Sequence, residues 1–104
     1  MSCTQWRIIR RPDYLDDLNT IEAWIAADNP IAAVSTWLLI DEQVDKLADP
    51  NFPRRRSARM ADVFELVAHP NYVVYFDQNE AICTVTVLTV VHVARQFPTQ
   101  LPRA

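Results

Sequence analysis

The second half of the chain contains three apolar, β-branched segments that are separated by only a few polar residues. They cover about residues 63–68, 72–76 and 82–92. Connections of two to five residues permit hairpins, so the pattern predicts an antiparallel meander of three strands. The first half of the chain must therefore fold against this predicted sheet.

Two helices are predicted in the first half of the chain. The first covers about residues 12–27, where apolar residues at spacings of four, three and four share one face: Tyr14, Leu18, Ile21 and Ile25. Asn29 can cap a second helix over about residues 30–48, with Pro30 at its first position. A connection this short forces an antiparallel helix pair.

These elements predict an α+β fold of the order βααβββ. A short first strand over residues 6–10 is expected to join the antiparallel sheet, and the two-helix hairpin is expected to cover one face of it. Residues 1–104 are expected to form a single domain, with a loosely held tail over about residues 98–104.

Charge is divided unevenly along the chain. Residues 12–49 hold nine acidic residues and one basic residue, Lys46, whereas the rest holds four acidic residues and nine arginines. An acidic helical face is most often simply solvated. Arginine makes planar, bidentate contacts to carboxylates and phosphates, so the four arginines among residues 54–59 are either a solvated loop or a binding surface.

Several classes of function are excluded by composition. The sequence has no glycine, which excludes the glycine-built phosphate loops of Walker and dinucleotide-binding enzymes. Cys3 and Cys83 lack metal-ligand spacing, and Cys83 is expected to be a small buried apolar residue. No metal or cofactor is therefore expected. Because no apolar run could span a bilayer and residues 1–6 lack signal-peptide features, we expect a cytoplasmic location and no membrane partner.

Two sets of residues follow a recognisable pattern. The last predicted strand ends in His92, followed by Arg95, Gln96, Phe97 and Pro98, and His69-Pro70-Asn71-Tyr72 precedes a short apolar strand. The helical hairpin carries a second set: Pro12, Asp17, Leu18, Ile21, Trp24, Ile25, Ala26, Asp28, Asn29 and Pro30. With these motifs nearly the whole chain resembles the RelE/ParE superfamily of bacterial toxins, and most closely the ParE-type toxins.

The resemblance implies the toxin component of a type II toxin–antitoxin (plasmid stabilisation) module. Such a toxin would inhibit growth by binding DNA gyrase and would form a hetero-oligomer with a ParD-like antitoxin, without reading DNA sequence itself. The residues expected to contact the target are Arg54, Arg55, Arg56, Arg59, Arg95 and Phe97. Those expected to contact the antitoxin are Trp24, Trp37, Tyr72 and Tyr75.

Two other functions remain open for a chain with this resemblance. RelE-type members cleave messenger RNA on the ribosome, which requires proton-transfer groups and cations for the phosphorane charge. Here the candidates would be Glu65 and His92 for proton transfer, with Arg59 and Arg95 for charge. The Arg-Glu-Leu that is usual in toxins of this resemblance is replaced by Phe64-Glu65-Leu66. RNA-cleaving members often place a Tyr or His near the C-terminus, and here no residue after His92 titrates near neutral pH. An enzyme is therefore not the favoured interpretation. The chain could also be a non-toxic antitoxin-binding protein or co-repressor.

Overall fold

The computed structural model describes residues 3–58, 60 and 62–93. The chain forms five strands and two α-helices in this order: β1 (Arg7–Arg10), α1 (Pro12–Ala26), α2 (Pro30–Asp45), β2 (Arg55–Arg56), β3 (Phe64–His69), β4 (Tyr72–Asn79) and β5 (Thr84–His92). A 3₁₀ turn at Lys46–Ala48 continues α2. The predicted α+β class is confirmed. The predicted tail lies outside the described residues.

The strands form one mixed sheet in the order β1-β5-β4-β3-β2. β3, β4 and β5 form the predicted antiparallel meander. The sheet is not antiparallel throughout, because β1 lies parallel to β5 at the opposite end from β2. Two-residue β2 was not predicted, since its sequence is part of the arginine run and carries no β-pattern of its own.

The helix boundaries follow from local capping. Pro12 starts α1, and the side chain of Asn29 accepts a hydrogen bond from the backbone N–H of Ala32 at 3.1 Å at the start of α2. Across the hairpin, the indole N–H of Trp37 donates to Asn19 at 3.0 Å. The helices are therefore held as the predicted antiparallel pair.

The β4–β5 turn lies later in the chain than the sequence suggests. β4 continues to Asn79, and β5 begins only at Thr84. The side chain of Asn79 accepts a hydrogen bond from the backbone N–H of Ala81 at 3.0 Å, which mimics a backbone turn. Ile82, predicted to lie in the strand, is 63% exposed in this turn.

Both faces of the sheet carry buried side chains. The helix-facing side is the larger core and includes Tyr14 and Leu18 of α1 together with Phe76 and Val85 of the sheet. The opposite face, here called the second face, has a smaller cluster: Val63, Val73, Tyr75 and Leu88. Side chains on this sheet can thus be assigned to one face or the other by the cluster they join.

A β-bulge in β5 changes which residues point to which face. Phe76 pairs with Val87 and Tyr75 pairs with Thr89, so Leu88 is an extra residue in β5. Before the bulge, Val87 joins the helix-facing core; after it, Val90 does. The usual alternation is therefore shifted by one residue over the last part of β5.

Cys3 and Cys83 form a disulfide between the N-terminal segment and the residue before β5. The expectation that Cys83 is a small buried apolar residue is wrong, because Cys83 is a half-buried disulfide partner. The pairing depends on β1 lying beside β5, a contact across 80 residues that local pattern cannot reveal.

Within the described residues, no helix is long and apolar enough to cross a membrane. The cytoplasmic location stays a prediction, and the disulfide does not support it, since disulfides are rare in reducing compartments.

Reduction of the disulfide is expected to lower the free energy of unfolding by about 4 kcal/mol, because it releases a closed loop of about 80 residues. The measurement is urea unfolding with and without dithiothreitol. The double variant Cys3→Ser/Cys83→Ser is the control, and its unfolding midpoint should not respond to the reductant. An unchanged midpoint of the unmodified protein would contradict the pairing.

Candidate functional site

A pocket of about 200 Å³ opens between the first helix and the end of β5. We call it the α1–β5 pocket. Residues from α1, β4 and β5 line it: Asp17, Thr20, Ile21, Trp24, Tyr72, Val90 and His92. The four helical members lie at spacings of three, one and three residues, which places them on one face of α1. The spacing could have indicated that these four residues share one helix face. Asp17 and Thr20 were nevertheless not predicted to be site residues.

The one carboxylate among the residues that line the pocket is that of Asp17, which is half-buried. Thr89 of β5 donates its hydroxyl hydrogen bond to one oxygen of this carboxylate. Burial raises the pKa of Asp17 above its ordinary value; the Thr89 hydrogen bond opposes this shift, and the nearby Asp13 and Asp16 reinforce it. Among the described residues, no cation pairs with Asp17.

Aromatic rings form the other side of the pocket. The ring of His92 meets Tyr72 edge-on with centroids 4.9 Å apart, and it meets Trp24 edge-on at 6.3 Å. Trp24 is 57% exposed, whereas Tyr72 is only 4% exposed. The ring of His92 thus packs against two aromatic rings of the pocket.

Of the residues predicted to contact an antitoxin, the structure brings Trp24 and Tyr72 together in this pocket. Tyr75 is buried in the second face, with 1% of its surface exposed. Trp37 is half-buried and binds Asn19 within the hairpin. The tyrosines point to opposite faces as alternation requires, and both belong to a core. Their role in antitoxin contact stays a prediction.

The arginine run is not one uniform surface, because Arg54 points inward. Its guanidinium lies 5.0 Å from the centre of the Trp6 ring and donates to the side chain of Gln78. It also donates to three backbone carbonyls, those of Leu47, Asp49 and Phe52. Burial lowers the pKa of Arg54. Its contacts indicate that Arg54 holds the loop after α2 against the sheet.

Arg55 and Arg56 are the exposed part of the run. Arg55 forms an ion pair with Glu65 across the β2–β3 pairing, and 68% of its side chain is exposed. The guanidinium of Arg56 lies over Phe64, 4.9 Å from the ring centre. Arg59, Arg95 and Phe97, the other predicted target contacts, lie outside the described residues.

The two candidates for proton transfer lie on opposite faces of the sheet. Glu65 pairs with Tyr75, which belongs to the second face. His92 pairs with Tyr72, which belongs to the helix-facing core, and it lines the α1–β5 pocket. Directly paired residues share a face, so the structure does not bring Glu65 and His92 into one site. In the described part of the chain, no cluster of side chains is suited to hold a metal ion.

Comparison with known proteins identifies one family. The sequence profile described as "ParE toxin of type II toxin-antitoxin system, parDE" matches residues 8–97. No curated protein sequence matches the chain.

Two solved structures share the fold. A structure of the chromosomal ParDE TA system from P. aeruginosa is 18% identical, covers 88% of this chain and 99% of its own, and has a TM-score of 0.73. The toxin–antitoxin complex RelBE2 from Mycobacterium tuberculosis is 16% identical, covers 90% of this chain and 98% of its own, and has a TM-score of 0.61. At these identities the likeness concerns the fold.

Replacing Arg54 by Ala is expected to lower the free energy of unfolding by about 2–3 kcal/mol, because the carbonyls that it satisfies lose a charged donor. Arg55→Ala is the matched control, and its exposed ion pair should contribute less than about 1 kcal/mol. Urea unfolding of the two variants provides the comparison. Equal effects would show that Arg54 is a surface residue like its neighbour.

Replacing Asp17 by Asn is expected to raise the unfolding midpoint at pH 7. The folded pKa of Asp17 lies above the unfolded value near 3.8, so its stabilising contribution is complete below that pH and is lost as pH rises through the folded pKa. Asparagine keeps an acceptor for Thr89 and does not titrate. The rise in the urea unfolding midpoint of Asp17→Asn over that of the unmodified chain should therefore shrink toward zero as the pH is lowered to 3.5. A midpoint that falls at pH 7 would show that the carboxylate is needed in its charged form.

Proposed function

Because the chain belongs to the ParE toxin family of type II toxin–antitoxin systems, we propose that it inhibits growth by binding DNA gyrase. We propose also that a ParD-like antitoxin neutralises it in a tight complex. In this role the toxin acts through a protein-binding surface and not through catalytic residues.

One observation carries the choice of a binding protein over a ribonuclease: Glu65 and His92 lie on opposite faces of the sheet. General acid–base cleavage needs both proton-transfer groups within hydrogen-bonding reach of one substrate. Glu65 is also paired with Arg55, and His92 is packed between Trp24 and Tyr72. This separation supports a toxin that works by binding.

An exposed apolar stripe supports a helical protein partner. Ile31, Val34 and Leu38 of α2 are 81%, 51% and 52% exposed. Their spacing of three and four residues places them on one helix face, which an amphipathic partner helix can cover. Apolar surface of this kind is characteristic of protein interaction sites when it is contiguous.

The edge of the sheet supports a second mode of contact. Among the described residues, β2 pairs with only Phe64 and Glu65 of β3. The rest of β3 therefore has one edge that β2 does not cover, and Val67 on this strand is 52% exposed. An extended antitoxin segment could add a strand here, because unpaired backbone groups at a sheet edge are a template for pairing. The two solved relatives are themselves from toxin–antitoxin systems, which supports a partner of this type.

Brief expression of the chain is expected to reduce gyrase supercoiling and to leave translated messenger RNA intact. The two readouts are reporter-plasmid topology and codon-resolved RNA ends, measured in the same cells. Prompt RNA cleavage with normal supercoiling would overturn the gyrase proposal and favour the RelE-type alternative. Unimpaired growth would favour the non-toxic co-repressor alternative. Co-expression of a ParD-like antitoxin should restore growth.

The double variant Arg55→Ala/Arg56→Ala is expected to be less toxic, because these two side chains form the exposed part of the arginine run. The inducer dose that stops growth should rise at least tenfold. Arg54 is left in place, since its loss would impair folding and obscure the result. The matched control is Arg7→Ala/Lys46→Ala, which removes two exposed positive charges elsewhere. Equal toxicity of the two double variants would mean that the arginine run is not the target surface.

A further inference from the structure

We propose that the α1–β5 pocket binds the guanidinium group of an arginine side chain from the protein that neutralises this toxin. The inference rests on the proposed function, because it assigns a contact to the antitoxin complex. It names a pocket, a chemical group and a partner.

The size of the pocket fits one side chain better than a small-molecule ligand. Its volume of about 200 Å³ is below the range of about 300–1,000 Å³ that is typical of cofactor and drug-sized sites. A single long side chain inserted from a partner surface fits a pocket of this kind. Such central, desolvated anchors carry most of the binding energy in protein interfaces, and arginine is one of the residue types that predominate among them.

The lining of the pocket suits a cation that is also planar. Asp17 presents a half-buried carboxylate that no cation satisfies among the described residues. Trp24, which is 57% exposed, presents aromatic surface in the same pocket, whereas Tyr72 is nearly buried. A guanidinium group can pair with the carboxylate and stack on an aromatic ring at the same time, whereas a lysine ammonium offers only a point charge.

The electrostatic surroundings favour the same ligand. Asp13, Asp16 and Glu22 lie on the same helix as Asp17. Among the ion pairs of the described residues, Asp13 pairs with Arg11 at 3.7 Å. The hairpin region over residues 12–49 holds nine acidic residues and one basic residue. Such a field attracts a basic segment during association.

An apolar anchor is a poorer occupant of this pocket. It would cover Asp17 without pairing it, and an unpaired charge that becomes buried in an interface is strongly unfavourable. An acidic anchor would meet a like charge at short range. Of these side chains, arginine is the one that can both pair with the Asp17 carboxylate and stack on the exposed ring of Trp24.

The first test uses N-acetyl-arginine amide as the probe and follows the indole N–H signal of Trp24 by NMR titration of the whole chain. N-acetyl-citrulline amide is the uncharged probe of matched shape. The arginine probe should shift the Trp24 signal saturably, with the Asp17→Asn variant binding it at least fivefold more weakly. Asp16→Asn, one residue away, is the matched control and should keep its affinity within about twofold. Equal binding of both probes, or equal affinity in Asp17→Asn, would overturn the inference.

The second test uses the proposed ParD-like antitoxin and measures complex affinity by calorimetry. Asp17→Asn should weaken the complex about tenfold, and Trp24→Ala should weaken it at least as much. In a double-mutant cycle, replacing one arginine of the antitoxin should weaken its complex with the unmodified toxin but not its complex with the Asp17→Asn variant. A complex that forms normally with both toxin variants would overturn this inference and leave the proposed function intact. If no complex forms even with the unmodified chain, the proposed function fails, and the probe titration alone decides the pocket.

Discussion

The fold depends most on β5, because other parts of the chain occupy both of its edges and both of its faces. β1 pairs with it in parallel and β4 pairs with it antiparallel. Val85 and Val87 are fully buried toward the helices, while Leu88 is buried in the second face. Because β1 joins the sheet beside β5, the helix that follows β1 is placed across β5: the backbone N–H of Arg11 donates to Val87 at 3.1 Å. The pocket exists because this crossing holds α1 over the end of the last strand.

The parts of the fold with local signals could be predicted from the sequence. Pro12 and Asn29 are chemical signals for helix starts, and the structure uses both. Periodicity likewise predicted the helix face that buries Tyr14 and Leu18. The parallel pairing of β1 and the Cys3–Cys83 disulfide could not be predicted in this way, because each joins segments from opposite ends of the chain. Such long-range contacts are decided by the packing of the complete fold.

The candidate site shows the same division. The sequence identified the arginine run by composition, but composition cannot tell which side chain turns inward. Arg54 does so because open carbonyls after α2 need a donor, while Arg55 and Arg56 lie on a two-residue strand at the sheet edge. Trp24 and Tyr72 were predicted to serve an antitoxin, and they do share a pocket. In the sequence, Asp17 is only one member of the helical-hairpin motif, because β5 supplies its half-buried environment through Thr89.

One extra residue in β5 decides which chemistry this sheet can offer. Strict alternation continued from Val85 and Val87 would place His92 on the second face, the face that carries Glu65. Leu88 shifts the alternation by one, so His92 points instead toward α1 and packs beside Trp24. The same shift removes His92 from the face that carries Glu65. It also adds the ring of His92 to those of Trp24 and Tyr72 in the pocket that Asp17 lines. The bulge therefore accounts both for the separation of the ribonuclease candidates and for the position of His92 in the α1–β5 pocket.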